Sequence, residues 1–420
     1  MNSLRLLHLA DVHLDTPFYG KDEQWRTRLR KAVRAAFARG IDLAIERGAH
    51  AVLVAGDLFD NDLLTFATEQ FLLEQVRRLQ DAGVCFFYAT GNHDPGRSNY
   101  RAHNLDWPDN AHIFRKGQAE DVPVKDASGE TVGWITGAGH VTQREDRNLA
   151  AGFGRAKGEL PHVALLHTQV LSAKGAENHG RYAPTTVEDL ADGGFDYWAL
   201  GHIHLVQQVV PEVSAWYAGN VQGRNPRETG LRGGLWVEVR KGVPVQPEFV
   251  PLGELVWQTV EARCPPEALT LRELVQDLAG QVTDALVVSP IPREFEPEHL
   301  VRVVLTGRSP LAGQLRRNPD ELTVLAEDLQ QTVGVPWVEV RLGSLTRPLD
   351  LASLRQGPSV LAVALELMDE AQEDGELLRG LAPENISMDV PPEVRIAYLR
   401  ELLQGLDAEL AERLMPEEER

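Results

Sequence analysis

Val84-Cys85-Phe86-Phe87-Tyr88-Ala89-Thr90-Gly91-Asn92-His93-Asp94 is an apolar run that stops abruptly on side chains able to bind metals and move protons. A short apolar run bounded by turn formers reads as a buried strand, and Pro95-Gly96 closes this one. The same pattern recurs on both sides. Leu6-Leu7-His8-Leu9-Ala10 leads into Asp11-Val12-His13, and Ala51-Val52-Leu53-Val54-Ala55 leads into Gly56-Asp57. Val163-Ala164-Leu165-Leu166 leads into His167, and Tyr197-Trp198-Ala199-Leu200 into Gly201-His202-Ile203-His204. Ligands of open α/β sheets bind just beyond the carboxyl ends of strands. Five segments scattered from Asp11 to His204 can therefore meet at one rim.

The residue types carry the chemistry. Asp11, His13, Asp57, Asn92, His167, His202 and His204 offer carboxylate, imidazole and amide oxygen but no thiolate. Such a set suits Mn, Fe, Zn or Ni and excludes an all-cysteine structural zinc site. Seven side chains are too many for one catalytic ion that keeps positions open for water and substrate. They suit two ions sharing a carboxylate, ~3.5–4 Å apart. A chain with 13 histidines offers some His pairs by chance, so the weight lies in five segments in order, each at a strand end. His8 and His162 read as packed structural residues, and His50, His103, His112 and His299 as surface or turn positions. His140 reads as structural or as an approach to the rim. His179 reads as a solvated turn or a substrate contact.

Asp-x-His, Gly-Asp, Gly-Asn-His-Asp, a lone His and Gly-His-x-His, in that order, resemble the calcineurin-like metallophosphoesterase superfamily. The finer likeness is to SbcD-type DNA repair exonucleases. Within these, Leu14-Asp15-Thr16-Pro17-Phe18, Tyr197 to His204 and Gly219-Asn220-Val221-Gln222-Gly223-Arg224 look most like the YhaO-like branch. The resemblance covers roughly residues 4–240. It implies Asp11, His13, Asp57 and His204 for one ion and Asp57, Asn92, His167 and His202 for the other, with Asp57 as the bridge. It also implies two divalent ions, Mn²⁺ foremost with Fe or Zn compatible. A water activated by those ions is then the nucleophile, and His93 the general acid to the leaving 3′ oxygen. Asp94 either orients His93 or caps the following turn. Asp15 either holds His13 in one tautomer or starts the Thr16-Pro17 turn. Asp60 stands where archaeal relatives carry a His near the bound nucleotide. Arg224 and Arg227 either grip a phosphate or lie in a solvated loop.

At 420 residues the chain has room for two or three domains of ~100–200 residues. Residues 1–250 alternate strand-like runs with helical patterns, clearest at Trp25–Arg47 and Leu63–Gln80, and later strands fall at Thr131–Thr136, Trp216–Ala218 and Gly234–Val239. With the resemblance, this predicts an α/β fold, the αββα two-sheet sandwich of the metallophosphoesterases, as the nuclease domain. Residues 251–346 read as a small β-α-β-α-β capping domain. Residues 347–420 hold amphipathic patterns at Val360–Glu373 and Glu393–Leu414, the latter with Ile396, Leu399, Leu402, Leu403, Leu406 and Leu410 as a stripe. Leu381-Ala382-Pro383-Glu384-Asn385 reads as a turn between them. The stripe either packs on the body or docks on a coiled-coil ATPase, SbcC-like or YhaN-like, as the resemblance implies. No run approaches the ~18 apolar residues of a membrane span, no secretion signal is evident, and two cysteines make no disulfide framework; the expectation is a cytoplasmic protein.

A net charge of −20 sits awkwardly with DNA as a substrate, because affinity for DNA comes from neutralising phosphates. Residues 346–420 hold 17 acidic against 7 basic side chains, so half the excess lies there. Between Trp25 and Gly40, Arg26, Arg28, Arg30, Lys31, Arg34 and Arg39 occur without an acid and read as a basic face. The expected function is a two-metal DNA phosphodiesterase, an exonuclease and possible endonuclease. The alternatives are a phosphatase or small-molecule phosphodiesterase with the same centre, and a DNA-tethering subunit without catalysis. Dimerisation through the Leu63–Gln80 helix is a further option of the family.

Overall fold

A computed structural model describes residues 3–60, 64–97, 104–156, 158–176, 180–287, 295–348, 351–356, 359–381, 392–403 and 406–414. The chain divides into two compact units, Met1–Gln258 with Pro290–Leu300 and Thr259–Ser289 with Val301–Arg420. Among the described residues no helix is long and apolar enough to cross a membrane.

The first unit opens with β1 (Leu4–Leu9), α1 (Glu23–Glu46), β2 (Ala51–Ala55), α2 (Phe66–Asp81), β3 (Cys85–Ala89) and β4 (Ala111–Phe114). It continues with β5 (Glu120–Lys125), β6 (Thr131–Ala138), β7 (His162–His167), α3 (Val187–Asp192), β8 (Tyr197–Gly201), β9 (Gln207–Val210), β10 (Val213–Tyr217), β11 (Gly233–Val239) and β12 (Glu248–Pro251). One sheet has the order β12-β11-β1-β2-β3-β4 and the other β5-β6-β7-β8-β10-β9. β1, β2, β3 and β4 run parallel, as do β6, β7, β8 and β10. Antiparallel edges come from β11 and β12 in one sheet and β5 and β9 in the other.

The sheets bury their facing sides in one core, where Leu6, Leu53, Phe87 and Val237 meet Ile135, Val163, Leu165 and Tyr197. Strands buried on both sides need continuous apolar sequence rather than alternation, and β2 (AVLVA) is entirely buried. α1 covers the outer side of the first sheet. Its N-cap Asp22 accepts from the Trp25 amide at 2.9 Å, and Leu29, Val33, Phe37 and Ile41 form its buried stripe. Phe153, Leu190 and Trp198 fill a separate core on the outer side of the second sheet. The expected αββα sandwich is present.

The parallel arrangement positions the site. β1, β2, β3, β7 and β8 all run the same way within their sheets, so Asp11, Asp57, Asn92, His167 and His202 leave their strands at one end.

The second unit carries a three-stranded sheet, β13 (Leu255–Cys264), β14 (Glu298–Arg308) and β15 (Trp337–Thr346), with β14 central. α4 (Leu271–Val287), α5 (Ala312–Arg317) and α6 (Pro319–Val333) share its core through Leu274, Leu278, Leu315, Leu325 and Leu329. Beyond it lie α7 (Leu351–Leu354), α8 (Val360–Glu373), α9 (Gly375–Leu381), α10 (Pro392–Leu403) and α11 (Leu406–Leu414). The residues expected to form the turn at 382–385 lie outside the described ones. The apolar stripe is largely spent within this segment. Leu410 packs with Leu361 and Leu365, and Ile396, Leu399 and Leu403 pack with Ala371 and Leu378. Leu402 and Leu406 remain exposed, as do Val360, Val363 and Leu367 on α8.

Candidate metal centre

Six of the seven expected ligands are linked by direct contacts, and the seventh, His202, packs against them. His204 Nε2 lies 3.4 Å from His13 Nε2 and 3.7 Å from Asp11 Oδ1. Asp57 Oδ2 stands between the two halves, 3.7 Å from His13 Nε2 and 3.5 Å from His167 Nε2. Asn92 Oδ1 is 2.9 Å from His167 Nε2, and the His202 ring centroid is 5.1 Å from that of His167. Asp11, His13 and His204 satisfy the spacing of a metal-ligand group, as do Asp11, Asp57 and His167.

The lone pairs test whether cations fit. The His167 Nδ1–H donates to the Ala55 carbonyl at 2.9 Å, so its Nε2 presents a lone pair to the oxygens of Asn92 and Asp57. His204 Nδ1–H donates to Glu228 Oε1 at 2.9 Å, and its Nε2 lone pair then faces His13 and Asp11. The His202 Nε2–H donates to the Gly180 carbonyl at 2.9 Å, so Nδ1 is the nitrogen able to take an ion. Acceptors facing acceptors in a buried site repel unless a cation lies between them. Burial, together with the Asp57 charge, raises the Asp11 carboxyl well above the usual range. Burial holds His13, His167 and His204 below the usual imidazole value. Neutral imidazoles and ionised carboxylates are the forms that bind divalent ions, and a carboxyl beside another negative charge gains most from a cation between them.

The backbone supports this reading. Asp11, His13, Asp57 and His202 have φ of 48°, 51°, 50° and 105°, a region costing non-glycine residues about 1–3 kcal/mol each. Hydrogen bonds hold them there: His13 N–H donates to the Asp57 carbonyl at 2.9 Å, and His202 N–H donates to both Asp11 carboxylate oxygens at 3.1 Å. Gly91 is fixed by close approach, since a Cβ there would lie 2.2 Å from Asp57 Oδ1. Gly91→Ala should displace that carboxylate, and calorimetric titration with Mn²⁺ should show at least one binding event lost.

His93 sits at the edge of the cluster. Its backbone N–H donates to Asp57 Oδ1 at 2.9 Å, and its ring Nδ1–H donates to Asp60 Oδ1 at 2.8 Å. Burial pulls its pKa down, but the Asp57 charge and the Asp60 hydrogen bond outweigh burial and push it up to about 9.

Several candidate residues take other places. Asp94 does not hold His93. Its buried carboxylate accepts from the amides of Gly91 at 2.6 Å, Phe59 at 3.1 Å and Asp57 at 3.3 Å, tying two strand-end loops together; the orienting carboxylate is Asp60. Asp15 does not face a substrate or hold His13 either. Arg34 at 3.1 Å, Thr68 Oγ1 at 2.6 Å and the Thr65 amide at 2.7 Å occupy it at the start of α2. His140 packs behind the centre and donates from Nε2 to the His167 carbonyl at 2.7 Å. Arg224 and Arg227 both line the cleft over the centre, a space of about 630 Å³ that Asp57, Asn92, His93, Tyr182, His202 and His204 also line. Arg224 Nη1 stands 3.6 Å from Asp60 Oδ2, and Arg227 is exposed. His179 lies outside the described residues.

Four of the five arginines between Trp25 and Gly40 pair with carboxylates, and Arg30 donates to the Thr16 carbonyl at 3.1 Å. Arg26 pairs with Glu23 at 2.8 Å, Arg34 with Asp15, Arg39 with Glu254 at 3.2 Å, and Arg28 with Glu298. The sequence reading missed Glu228. Besides His204 it accepts from Asn220 Nδ2 at 2.9 Å and the Arg224 amide at 2.6 Å. Burial opposes its ionisation, but the His204 hydrogen bond and the Arg224 charge hold it well below the usual carboxylate range. A carboxylate behind a ligating imidazole fixes its tautomer and orientation. Glu228→Gln should weaken Mn²⁺ binding ~10–100-fold, read by the same titration.

Residues 4–206 match the calcineurin-like phosphoesterase family, and residues 257–341 match the middle domain of metallophosphoesterase YhaO. The uncharacterized metallophosphoesterase YhaO of Bacillus subtilis is 31% identical over 316 residues, covering 74% of this chain and 73% of that protein. The chain belongs to the YhaO family of calcineurin-like metallophosphoesterases. This YhaO-family chain is thus a dimetal phosphoesterase by kinship, and its clustered Asp, His and Asn side chains are the candidate ligands. It is also related to archaeal DNA double-strand break repair proteins named Mre11. That of Sulfurisphaera tokodaii is 27% identical over 208 residues, 49% of this chain and 50% of that protein. That of Aeropyrum pernix is 29% identical over 206 residues, 48% of this chain and 49% of that protein. The chain spans about half the length of these two Mre11 relatives.

Proposed function

We propose that this protein is a metal-dependent DNA phosphodiesterase, acting as an exonuclease and also able to cut internally, in DNA repair. The observation that carries the reading is the His93 ring held by Asp60 at 2.8 Å beside a cluster of seven candidate ligands in an open cleft. Asp11, His13, Asp57 and His204 would hold one ion and Asp57, Asn92, His167 and His202 the second, with Mn²⁺ foremost. Two ions held there supply Lewis-acid charge and lower the pKa of a bound water towards ~7. The chain's own residues do the rest. Asp60 keeps the His93 ring turned so that Nε2 offers its proton to the leaving 3′ oxygen, an alkoxide that cannot depart unprotonated. Arg224 and Arg227 line the cleft where a flanking phosphate would lie, and guanidinium groups suit bidentate contact with it.

Kinship to Mre11 proteins favours DNA over phosphoproteins or cyclic nucleotides, and a complete ligand set with an acid in place favours catalysis over tethering alone. A coiled-coil ATPase partner suits the C-terminal segment, where Val360, Val363 and Leu367 lie exposed at i, i+3 and i+7 on α8. Phe66, exposed at the start of α2, is the apolar residue a homodimer through that helix would cover. The test is Mn²⁺-dependent digestion of end-labelled single- and double-stranded DNA, run beside a cyclic nucleotide and a phosphopeptide. Shortened DNA products are expected. Turnover of the small substrates with intact DNA would replace this reading with a phosphatase or small-molecule phosphodiesterase.

A further inference from the structure

We propose that Arg224, besides lining the cleft, is a positioning residue for His93: its guanidinium, anchored by Glu228, holds the Asp60 carboxylate that in turn holds the His93 ring. The inference rests on the nuclease reading for its effect on cutting, and on the contacts alone for the link itself.

The contacts join three separate loops of the first unit. Asp60 follows β2, His93 follows β3, and Arg224 and Glu228 lie between β10 and β11. Asp60 divides its oxygens. Oδ1 accepts from His93 Nδ1 at 2.8 Å, and Oδ2 faces Arg224 Nη1 at 3.6 Å; Thr16 also bonds this carboxylate. The same guanidinium reaches Glu228, with Nε 3.8 Å from Oε1. The Asn225-Pro226 turn returns Glu228 to this place. Its N–H donates to the Asn225 carbonyl at 3.0 Å, and the Arg224 N–H donates to its Oε2 at 2.6 Å. One arginine thus stands between the carboxylate behind His93 and the carboxylate behind His204.

Low exposure gives these contacts weight. The side chains of Arg224, Asp60 and Glu228 are 17%, 8% and 12% exposed, so solvent and salt screen their charges little. Arg224 Nε is buried and makes no hydrogen bond among the described residues; attraction to the two carboxylates places the group. Without the guanidinium, two poorly solvated carboxylates would lose the cation they share, and losing one member of such a set leaves the rest uncompensated. Glu228 would stay in place, because Asn220 Nδ2 at 2.9 Å, the Arg224 amide and His204 hold it. Asp60 would lose the partner of its Oδ2, and the ring bonded to its Oδ1 would lose its orientation with it. The effect of Arg224 therefore falls on His93 rather than on the metal ligands.

The test compares the full-length wild type with Arg224→Gln and Arg224→Lys. Histidine-selective ¹⁵N NMR of the metal-free chain, with His93→Ala to assign the ring, should show the His93 signals shifted or broadened in R224Q. On DNA, kcat should fall ~10–10²-fold, a misplacement of about 1 Å costing up to the larger figure. A bis-nitrophenyl diester, whose leaving group needs no proton, should be turned over at close to the wild-type rate. Adding R224Q to Asp60→Asn should cost little more than Asp60→Asn alone, because both act through one ring. Mn²⁺ affinity by calorimetric titration should not fall, since a positive charge leaves the vicinity of the ions. Arg224→Lys keeps the charge but cannot span both carboxylates, and should restore part of kcat. Unmoved His93 signals overturn the inference. So does a raised KM with kcat unchanged, which makes Arg224 a phosphate contact alone. A joint fall in Mn²⁺ affinity and diester turnover overturns it too, by placing the action of Arg224 at the metals. A wild type that leaves DNA intact removes the nuclease reading, and the link then stands or falls on the His93 signals.

Discussion

Asp57→Asn is expected to leave at most one Mn²⁺ per chain and to slow phosphodiester hydrolysis ~10³-fold or more. Lewis-acid stabilisation is worth several kcal/mol, and each ~1.4 kcal/mol is tenfold in rate. The residue reaches both halves of the cluster, 3.7 Å from His13 Nε2 and 3.5 Å from His167 Nε2, so its loss cannot be confined to one site. An amide keeps the shape but removes the charge that would offset two divalent ions. Unfolding would give the same rate loss, so stability must be measured too. Without metal, burial and then the Asp57 charge both oppose ionisation of Asp11. The metal-free D57N variant should therefore melt no lower than metal-free wild type. Elemental analysis after desalting, a rate with a chromogenic diester and a melting curve together decide the matter. Two ions retained per chain in the variant would remove Asp57 as the bridge.

His93→Ala should behave differently, keeping both ions while DNA cleavage falls ~10²–10⁴-fold, the usual contribution of a positioned general acid. The leaving group gives the sharper test. A 3′ oxygen of DNA departs as a poor alkoxide, whereas a nitrophenolate needs no proton. A bis-nitrophenyl diester should thus be hydrolysed by the H93A variant at close to the wild-type rate. Asp60→Asn should show the same selectivity in smaller degree, because the 2.8 Å hydrogen bond to Nδ1 positions the ring without touching substrate. Equal losses on both substrates would mean that His93 acts on the metals or the fold rather than on the leaving oxygen.

The residues that became legible first are those whose chemistry and local structure coincide. Asp11, Asp57, Asn92, His167 and His202 each follow an apolar run, and a parallel strand pair carries every such run to the same rim. β5 and β9 left weaker signals, because edge strands need not be apolar: β5 is EDVPVK and β9 is QQVV. The Trp25–Gly40 arginines looked free because a count along the chain cannot see Glu254 or Glu298, which arrive more than two hundred positions later. Asp94 and Asp60 are both near a motif and both acidic. Only the fold shows that Asp94 spends its oxygens on backbone amides while Asp60 turns His93.

Sequence alone determined that a candidate set of metal donors exists and that strand ends deliver it, because donor type and apolar periodicity are local properties of the chain. Tertiary structure decided which carboxylate stands behind which imidazole. Glu228 reaches His204 from a loop of glycine, asparagine and proline with no periodicity of its own. A hydrogen bond about 3 Å long depends on how separate segments pack, and no spacing along the chain encodes it.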